Sequence, residues 1–315
     1  MNERPSVIVI AGPTASGKTA LSLALAEKLG GEIVSADSMQ IYRGMDIGTA
    51  KATPAERGRV PHHMIDIVSP SESYSVARYV EDAACCCEDI ISRGRLPIIT
   101  GGTGLYIDSL ISGRDFAAET GDDALRERLS TEFDKLGGEA MLQRLREVDP
   151  ERAAKLNPGD RRRIVRALEV YLLTGETITA HDEATRALPP RYKAARIVLN
   201  YADRAELYAR IDRRVDEMVA AGLFREVERL LASGLSPDCT AMQAIGYKEP
   251  AAALRGELTR SEATELIKQS SRRYAKRQLT WFGRWENALR ISRERESDFS
   301  SEVRVSTDFA RSFGI

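Results

Sequence analysis

The chain has 315 residues, 43% of them hydrophobic and 30% charged, which excludes a disordered chain and leaves room for two domains with separate cores. No apolar run reaches the roughly 18 residues needed to span a bilayer, and the apolar stretch in MNERPSVIVIAGP is too short for a signal peptide, so a cytoplasmic protein without a membrane partner is expected. The 46 Lys and Arg nearly balance the 47 Asp and Glu, yet Arg161, Arg162, Arg163 and Arg166 cluster, as do Arg272, Arg273, Lys276 and Arg277, so nucleic acid is not excluded.

Residues 7–11 (VIVIA) form a short β-branched run bounded by Pro5 and Gly12 and read as a buried strand. A helix is expected over 18–29, with Leu21, Leu25 and Leu29 on one face, and Gly30 and Gly31 end it before a second strand at 32–35 (EIVS). Strand, helix, strand at this spacing is a βαβ unit and requires a parallel sheet. A third strand is expected at 63–68, a helix at 75–93, and a fourth strand at 97–100 (PIIT) that stops at Gly101, Gly102 and Gly104. Cys85, Cys86 and Cys87 fall on that helix; three in a row suit neither a disulfide framework nor a zinc site, and they read as reduced structural thiols. His62, His63 and His181 lack metal-ligand spacing and read as structural or surface residues.

From about 115 to 190 the pattern turns to charged amphipathic helices without convincing strands. Strand character returns at 195–200, a helical stretch covers 204–233, and a last helix at 262–285 precedes a short strand at 288–292 and a polar tail that reads as loose. The fold class is therefore α/β, a parallel sheet of the P-loop NTPase type flanked by helices. Residues 1–114 and 196–315 make the core domain, and 115–195 make an inserted all-helical domain.

Gly12, Pro13, Thr14, Ala15, Ser16, Gly17, Lys18 and Thr19 fit G-x-x-x-x-G-K-S/T and sit between a strand and a helix, the context that motif requires. Backbone N–H groups converge on phosphate oxygens there, the helix N-terminus adds a favourable dipole, Lys18 supplies charge, and the Thr19 hydroxyl suits Mg²⁺. Such a loop says that phosphates bind, not whose. A kinase adds an acidic Mg²⁺ ligand after a second apolar strand, but the candidates Asp37 and Asp66 lack the long hydrophobic approach expected of one. The motif alone leaves an ATP-dependent small-molecule kinase and a different diphosphate enzyme both open.

The stretch SADSMQIYRGMDIGTAK at 35–51, preceded by GPTASGKT, resembles the tRNA dimethylallyltransferase (tRNA isopentenyltransferase) family. Further likenesses run in the family's order: PHHMID at 61–66, GGTGLY at 101–106, NPGDRRRIVRALEV at 157–170, LYARIDRR at 207–214, AIGY at 244–247 and KRQLTWF at 276–282. Eukaryotic members carry a C-terminal zinc-finger extension absent from these residues, so the resemblance implies a bacterial-type member. It implies transfer of a dimethylallyl group from dimethylallyl diphosphate to the exocyclic amine of the adenosine 3′ to the anticodon, with the phosphate loop gripping the diphosphate and Mg²⁺ as cofactor.

An exocyclic adenine amine is a poor nucleophile because its lone pair is delocalised into the ring, so the reaction needs a base and a stabilised leaving group. By resemblance Asp37 is the base, Arg214 faces the leaving diphosphate with Lys18, and Thr103 helps hold the substrates. Taken alone, Asp37 reads equally as a turn or N-cap residue, Thr103 as a turn cap, and Arg214 as part of a solvated helix face. The residues lining the dimethylallyl slot are not readable.

For the tRNA anticodon stem-loop, exposed bases are recognised by stacking and phosphates by Arg and Lys. Arg273, Lys276 and Arg277 supply such a basic face, with Tyr274, Trp281 and Trp285 as a stacking or core face. The segment Arg162, Arg163, Ile164, Val165 and Arg166 aligns with a family stretch that contacts tRNA, which places the helical insertion against tRNA. Asp37, Ser38, Met39, Gln40, Thr103, Met242, Gln243, Gly246 and Tyr247 match positions near the target nucleotide. The adenine must leave its stack to be reached. A monomer is expected. An RNA-binding nucleotide switch without catalysis is the non-enzymatic rival.

Overall fold

The computed structural model describes residues 4–113, 122–294 and 298–315. The chain divides into two compact units, one of Met1–Ile111 with Arg191–Ile315 and one of Ser112–Pro190. The expected boundary between 114 and 115 falls outside the described residues. At the other end the core resumes earlier than 196, because residues 193–195 already pair with the first strand.

In chain order the first unit opens with β1 (Ser6–Ala11), α1 (Lys18–Leu29), β2 (Gly31–Ala36), α2 (Pro54–Arg59), β3 (His62–His63), α3 (Val76–Ser92), β4 (Leu96–Gly101) and α4 (Gly104–Ser112). The second unit holds α5 (Asp123–Leu136), α6 (Gly138–Val148), α7 (Pro150–Ala153), α8 (Arg161–Thr174) and α9 (Ile178–Ala187). The first unit then continues with β5 (Lys193–Tyr201), α10 (Arg204–Ala221), α11 (Leu223–Ala232), α12 (Lys248–Leu254), α13 (Arg260–Phe282), β6 (Leu289–Arg293) and α14 (Phe299–Arg311).

The six strands form one sheet in the order β3-β2-β4-β1-β5-β6, and every pairing is parallel. Strands covered on both faces need continuous apolar sequence, and β1 supplies it: Val7, Ile8, Val9, Ile10 and Ala11 are all fully buried. Ile8, Ile10, Ile33, Ile98, Ile197 and Leu199 join Leu21 and Leu25 of α1 in the main core. The carboxyl ends of β1, β2 and β4 therefore open side by side, where open α/β sheets bind ligands.

The expected third strand at 63–68 is only two residues long. Met64 and Asp66 adopt left-handed backbone conformations, φ 62° and 58°, which break an extended run. The stretch 204–233 is two helices, because Gly222 at φ 106° turns the chain between α10 and α11. The polar tail is not loose. Val303, Phe309, Phe313 and Ile315 pack against the main core around α14. Its inward face mixes Val303 and Ala310 with Ser306 and Thr307, and the Thr307 hydroxyl donates to the Val303 carbonyl at 2.7 Å.

Beside β2, Glu32 is buried and accepts hydrogen bonds from Arg93 and from His63 Nε2, the latter at 2.8 Å. The Arg93 bond is the main cause holding its carboxyl at about 2 instead of the usual 4.5. A carboxylate depressed on folding stabilises the protein above its unfolded value and loses that stabilisation as pH falls from about 4.5 towards 2. Glu32→Gln is therefore expected to flatten the acid side of a stability profile in that window, as read by denaturant midpoints at pH 6, 4 and 3.

Among its described residues the second unit is entirely helical. Leu129, Met141, Leu142, Leu145, Ile164 and Leu168 make its core. Asp149 ties it together, receiving the Thr179 hydroxyl at 2.6 Å while capping α7 through Arg152 N–H.

Candidate active site

The phosphate loop leaves β1 at Gly12 and enters α1 through Gly17, which caps that helix at φ 86°. The Lys18 ammonium folds back over the loop, donating to the carbonyls of Gly12 and Pro13 at 3.0 and 2.7 Å. Its enclosure, with Arg214 nearby, lowers its pKa to about 7, while Asp37 opposes the shift. Ser16 Oγ is buried without a hydrogen-bond partner among the described residues. An enclosed ammonium beside a buried hydroxyl with no partner among the described residues suits an anionic ligand.

Facing it, Asp37 follows β2. Its Oδ1 accepts from the N–H groups of Met39 and Gln40 at 2.9 and 3.3 Å, so the carboxylate caps the turn that it begins. Thr103 crosses from the glycine turn after β4. Its N–H donates to the Ala36 carbonyl at 3.1 Å, and its Oγ1 accepts from Ser38 N–H at 3.2 Å. The ends of β2 and β4 are thereby locked on either side of Asp37.

Two helices close the site. From α10, Arg214 Nη1 reaches to 3.5 Å from Thr14 Oγ1, and burial lowers the pKa of its guanidinium against the pull of Asp37. From α13, buried Gln278 accepts from Thr14 N–H at 2.9 Å and donates to the Gly102 carbonyl at 2.9 Å, joining the two glycine turns. Tyr274, on the same helix, has its hydroxyl pushed up to about 12 by burial and then by Asp37. Trp281 packs where a Cβ on Gly104 would stand, and both Trp281 and Trp285 donate to Asp108, at 2.7 and 2.9 Å. These tryptophans serve packing.

Thr14, Asp37, Ser38, Arg214, Tyr274 and Arg277 all border one cavity of about 300 Å³. Its apolar wall includes Ile211, Val215 and Met218 of α10, Ile267 of α13, and Ile245. Sequence reasoning could not name these residues, since helical spacing shows which share a face but not what that face meets. Arg214 and Met218 also border a second opening, lined by Lys51, Arg57 and Asp66. Asp66 is held there by Lys51 at 2.5 Å and Arg57 at 2.8 Å, an ion-pair network unlike a kinase's free metal carboxylate.

Of the other candidates, Met39, Gln243 and Gly246 also line the cavity, while Arg273, Lys276 and Arg277 are exposed along α13. Gln40 turns its amide inward, accepting from the Ser35 hydroxyl and donating to the Thr49 and Ala50 carbonyls. Met242 and Tyr247 are fully buried, so their side chains are withdrawn from any RNA surface. Ile164 and Val165 are corrected in the same way, being 0% and 4% exposed in the core of the second unit. On that helix Arg162 and Arg163 are exposed, whereas Arg166 is drawn 3.0 Å from buried Glu169.

Glu226 went unnoticed in the sequence. It is 3% exposed and accepts from the N–H groups of Asp46, Ile47 and Gly48 and, at 2.7 Å, from the Tyr247 hydroxyl. It thus holds the loop whose Gly48 and Thr49 form one side of the cavity. Within an amphipathic helix such as LFREVERLLA, nothing marks this glutamate as inward facing.

A phosphate loop and a strand-end carboxylate opening on one cavity of a parallel sheet define a P-loop α/β enzyme. The IPP transferase family model matches residues 40–285, and the isopentenyl transferase model matches 5–63. The tRNA dimethylallyltransferase of Acetivibrio thermocellus is 44% identical over 98% of this chain and 99% of its own, and that of Symbiobacterium thermophilum 52% identical over 88% and 86%. The tRNA isopentenylpyrophosphate transferase of Bacillus halodurans superposes with a TM-score of 0.74 at 41% identity, covering 99% of this chain and 97% of its own. A eukaryotic dimethylallyltransferase acting on tRNA superposes at 0.82 with 30% identity, covering 98% and 80%. The chain belongs to the IPP transferase family, and these comparisons support a prenyltransferase over a kinase.

Proposed function

We propose that the chain transfers the dimethylallyl group of dimethylallyl diphosphate to the exocyclic 6-amino group of the adenosine 3′ to the tRNA anticodon, releasing diphosphate. The placement of Asp37, Thr14 and Arg214 around one cavity supports this reading most directly. The diphosphate occupies the phosphate loop beneath Lys18, and the five-carbon group lies along Ile211, Val215, Met218 and Ile267. Asp37 accepts a proton from the amine as the N–C bond forms and the C–O bond to diphosphate breaks. The departing oxygen keeps the electron pair, and Lys18 and Arg214 stabilise its charge. Thr103 holds Ser38 N–H and so keeps the turn after Asp37 in place.

No group of three His, Cys, Asp or Glu side chains able to hold a metal exists among the described residues. The exposed Thr19 hydroxyl on the first turn of α1 suits Mg²⁺, which takes most of its ligands from water and substrate phosphates. When bound there it neutralises diphosphate charge. Partner tRNA is met by Arg273, Lys276 and Arg277 in the first unit and by exposed Arg162 and Arg163 in the second.

Incubating the protein with dimethylallyl diphosphate and unmodified tRNA, then digesting to nucleosides for mass analysis, tests the reading. An anticodon-loop adenosine heavier by one five-carbon unit, with diphosphate released only when both substrates are present, is expected. ADP formation from ATP with a small-molecule acceptor instead would overturn it.

Each exposed arginine of α13 that meets a phosphate releases counterions. Arg273→Ala and Arg277→Ala are each expected to weaken anticodon stem-loop binding and to reduce the slope of log K against log salt by about 1. Filter-binding titrations across a salt series read this directly, and unchanged slopes in both variants would remove this face from the RNA site.

A further inference from the structure

Beneath the phosphate loop lies a buried ion pair for which the proposed chemistry has no use. Arg293, the last residue of β6, is 8% exposed and donates from Nη1 to the Ser16 carbonyl at 2.6 Å. Glu302 on α14, 7% exposed, grips the same guanidinium, accepting from Nε at 2.9 and 3.0 Å and from Nη2 at 2.5 Å. The contact is close enough that a Cβ on Gly17 would overlap the Arg293 guanidinium. Both residues lie beyond residue 285, where the IPP transferase match ends.

A peptide unit is planar, and in its trans form the C=O and N–H point in opposite directions. The carbonyl of Ser16 and the N–H of Gly17 belong to one such unit, which contains no cis bond. With the Ser16 oxygen held by Arg293, the Gly17 N–H of the same trans unit points to the side opposite Arg293. Amides of this loop are the groups that meet phosphate oxygens. Glu302 fixes the guanidinium in a fork-to-fork geometry that an unpaired arginine would not keep. It also neutralises a charge that burial would otherwise make costly. Packing of α14 on the main core through Val303 and Phe309 anchors Glu302 in turn.

We infer that Arg293 and Glu302 act as positioning residues for the diphosphate site: the pair sets the direction of the Gly17 amide, so β6 and α14 determine how tightly the loop holds its anion. This rests on the reading of the loop as a diphosphate cradle. Neither side chain touches substrate, and their effect belongs to diphosphate affinity, not to the prenyl transfer step or to RNA.

Titration calorimetry of the 315-residue chain with inorganic diphosphate and Mg²⁺ tests it. Arg293→Met is expected to raise the diphosphate Kd about tenfold, the loss of one charge-assisted hydrogen bond and the orientation it imposes. The KM for dimethylallyl diphosphate should rise in parallel, with kcat at saturation and anticodon stem-loop affinity within twofold of the parent. Arg293→Lys, which keeps one donor for the Ser16 carbonyl, should recover part of the affinity, and it stands as the test variant if Arg293→Met does not fold, with a rise of about threefold expected. A lowered melting temperature with an unchanged diphosphate Kd in whichever variant folds would reduce the pair to a structural brace and overturn the inference. A parent protein that binds diphosphate but transfers no prenyl group would sink the proposed activity and leave this inference standing.

Discussion

Asp37→Asn is expected to lower kcat for prenyl transfer by roughly 10² to 10⁴, the contribution of a general base, while anticodon stem-loop affinity changes little. Asparagine is the informative replacement, because the native Oδ1 also accepts from Met39 and Gln40 N–H. An amide oxygen keeps both bonds and preserves the turn, so the loss reports on proton acceptance and not on a collapsed loop. Alanine would remove base and cap together. Single-turnover assays with saturating tRNA and dimethylallyl diphosphate measure the effect. A turnover within tenfold of the parent would dismiss Asp37 as the base and return it to the role of a turn residue.

Arg214→Gln is expected to cost about 10² to 10³ in kcat, the range seen when one donor to a developing negative charge is deleted. Three observations put it there. It stands beside Thr14 of the phosphate loop, it borders the same cavity as Asp37, and its charge is felt by Lys18 across the loop. A surface arginine on α10 has none of these ties. The check is a split of the kinetic constants: loss confined to kcat places the interaction in the transition state, whereas a rise in KM alone would assign Arg214 to ground-state binding of the diphosphate.

The legibility of this site in the sequence varied from residue to residue. Gly12 to Thr19 declared themselves because a phosphate loop is contiguous: its spacing, strand and helix lie within about twenty residues. Asp37 could be placed at the crevice by following β2 to its end. Thr103 and Arg214 could be singled out only through resemblance to relatives, since a threonine in a glycine turn and an arginine on a charged helix have ordinary explanations. That resemblance marked positions but not orientations. Met242, Tyr247, Ile164 and Val165 stand among motif residues, yet their side chains face inward.

Glu226 marks the opposite limit. Its partners at Asp46 to Gly48 lie about 180 residues away, so no local pattern announces the bond. The same holds for Gln278 with Thr14, 264 positions apart, and for Arg293 with Ser16, 277 apart.

What the amino-acid order determined by itself was local: the parallel βαβ framework, the anion-binding turn and the carboxylate one strand away, because hydrophobic period, glycine placement and helix polarity act over a few residues. What only the tertiary structure decided was which polar side chains are enclosed and whom they meet. A buried polar group is costly unless its hydrogen bonds are completed, and for Glu226 and Gln278 the completing groups arrive from distant segments of the chain.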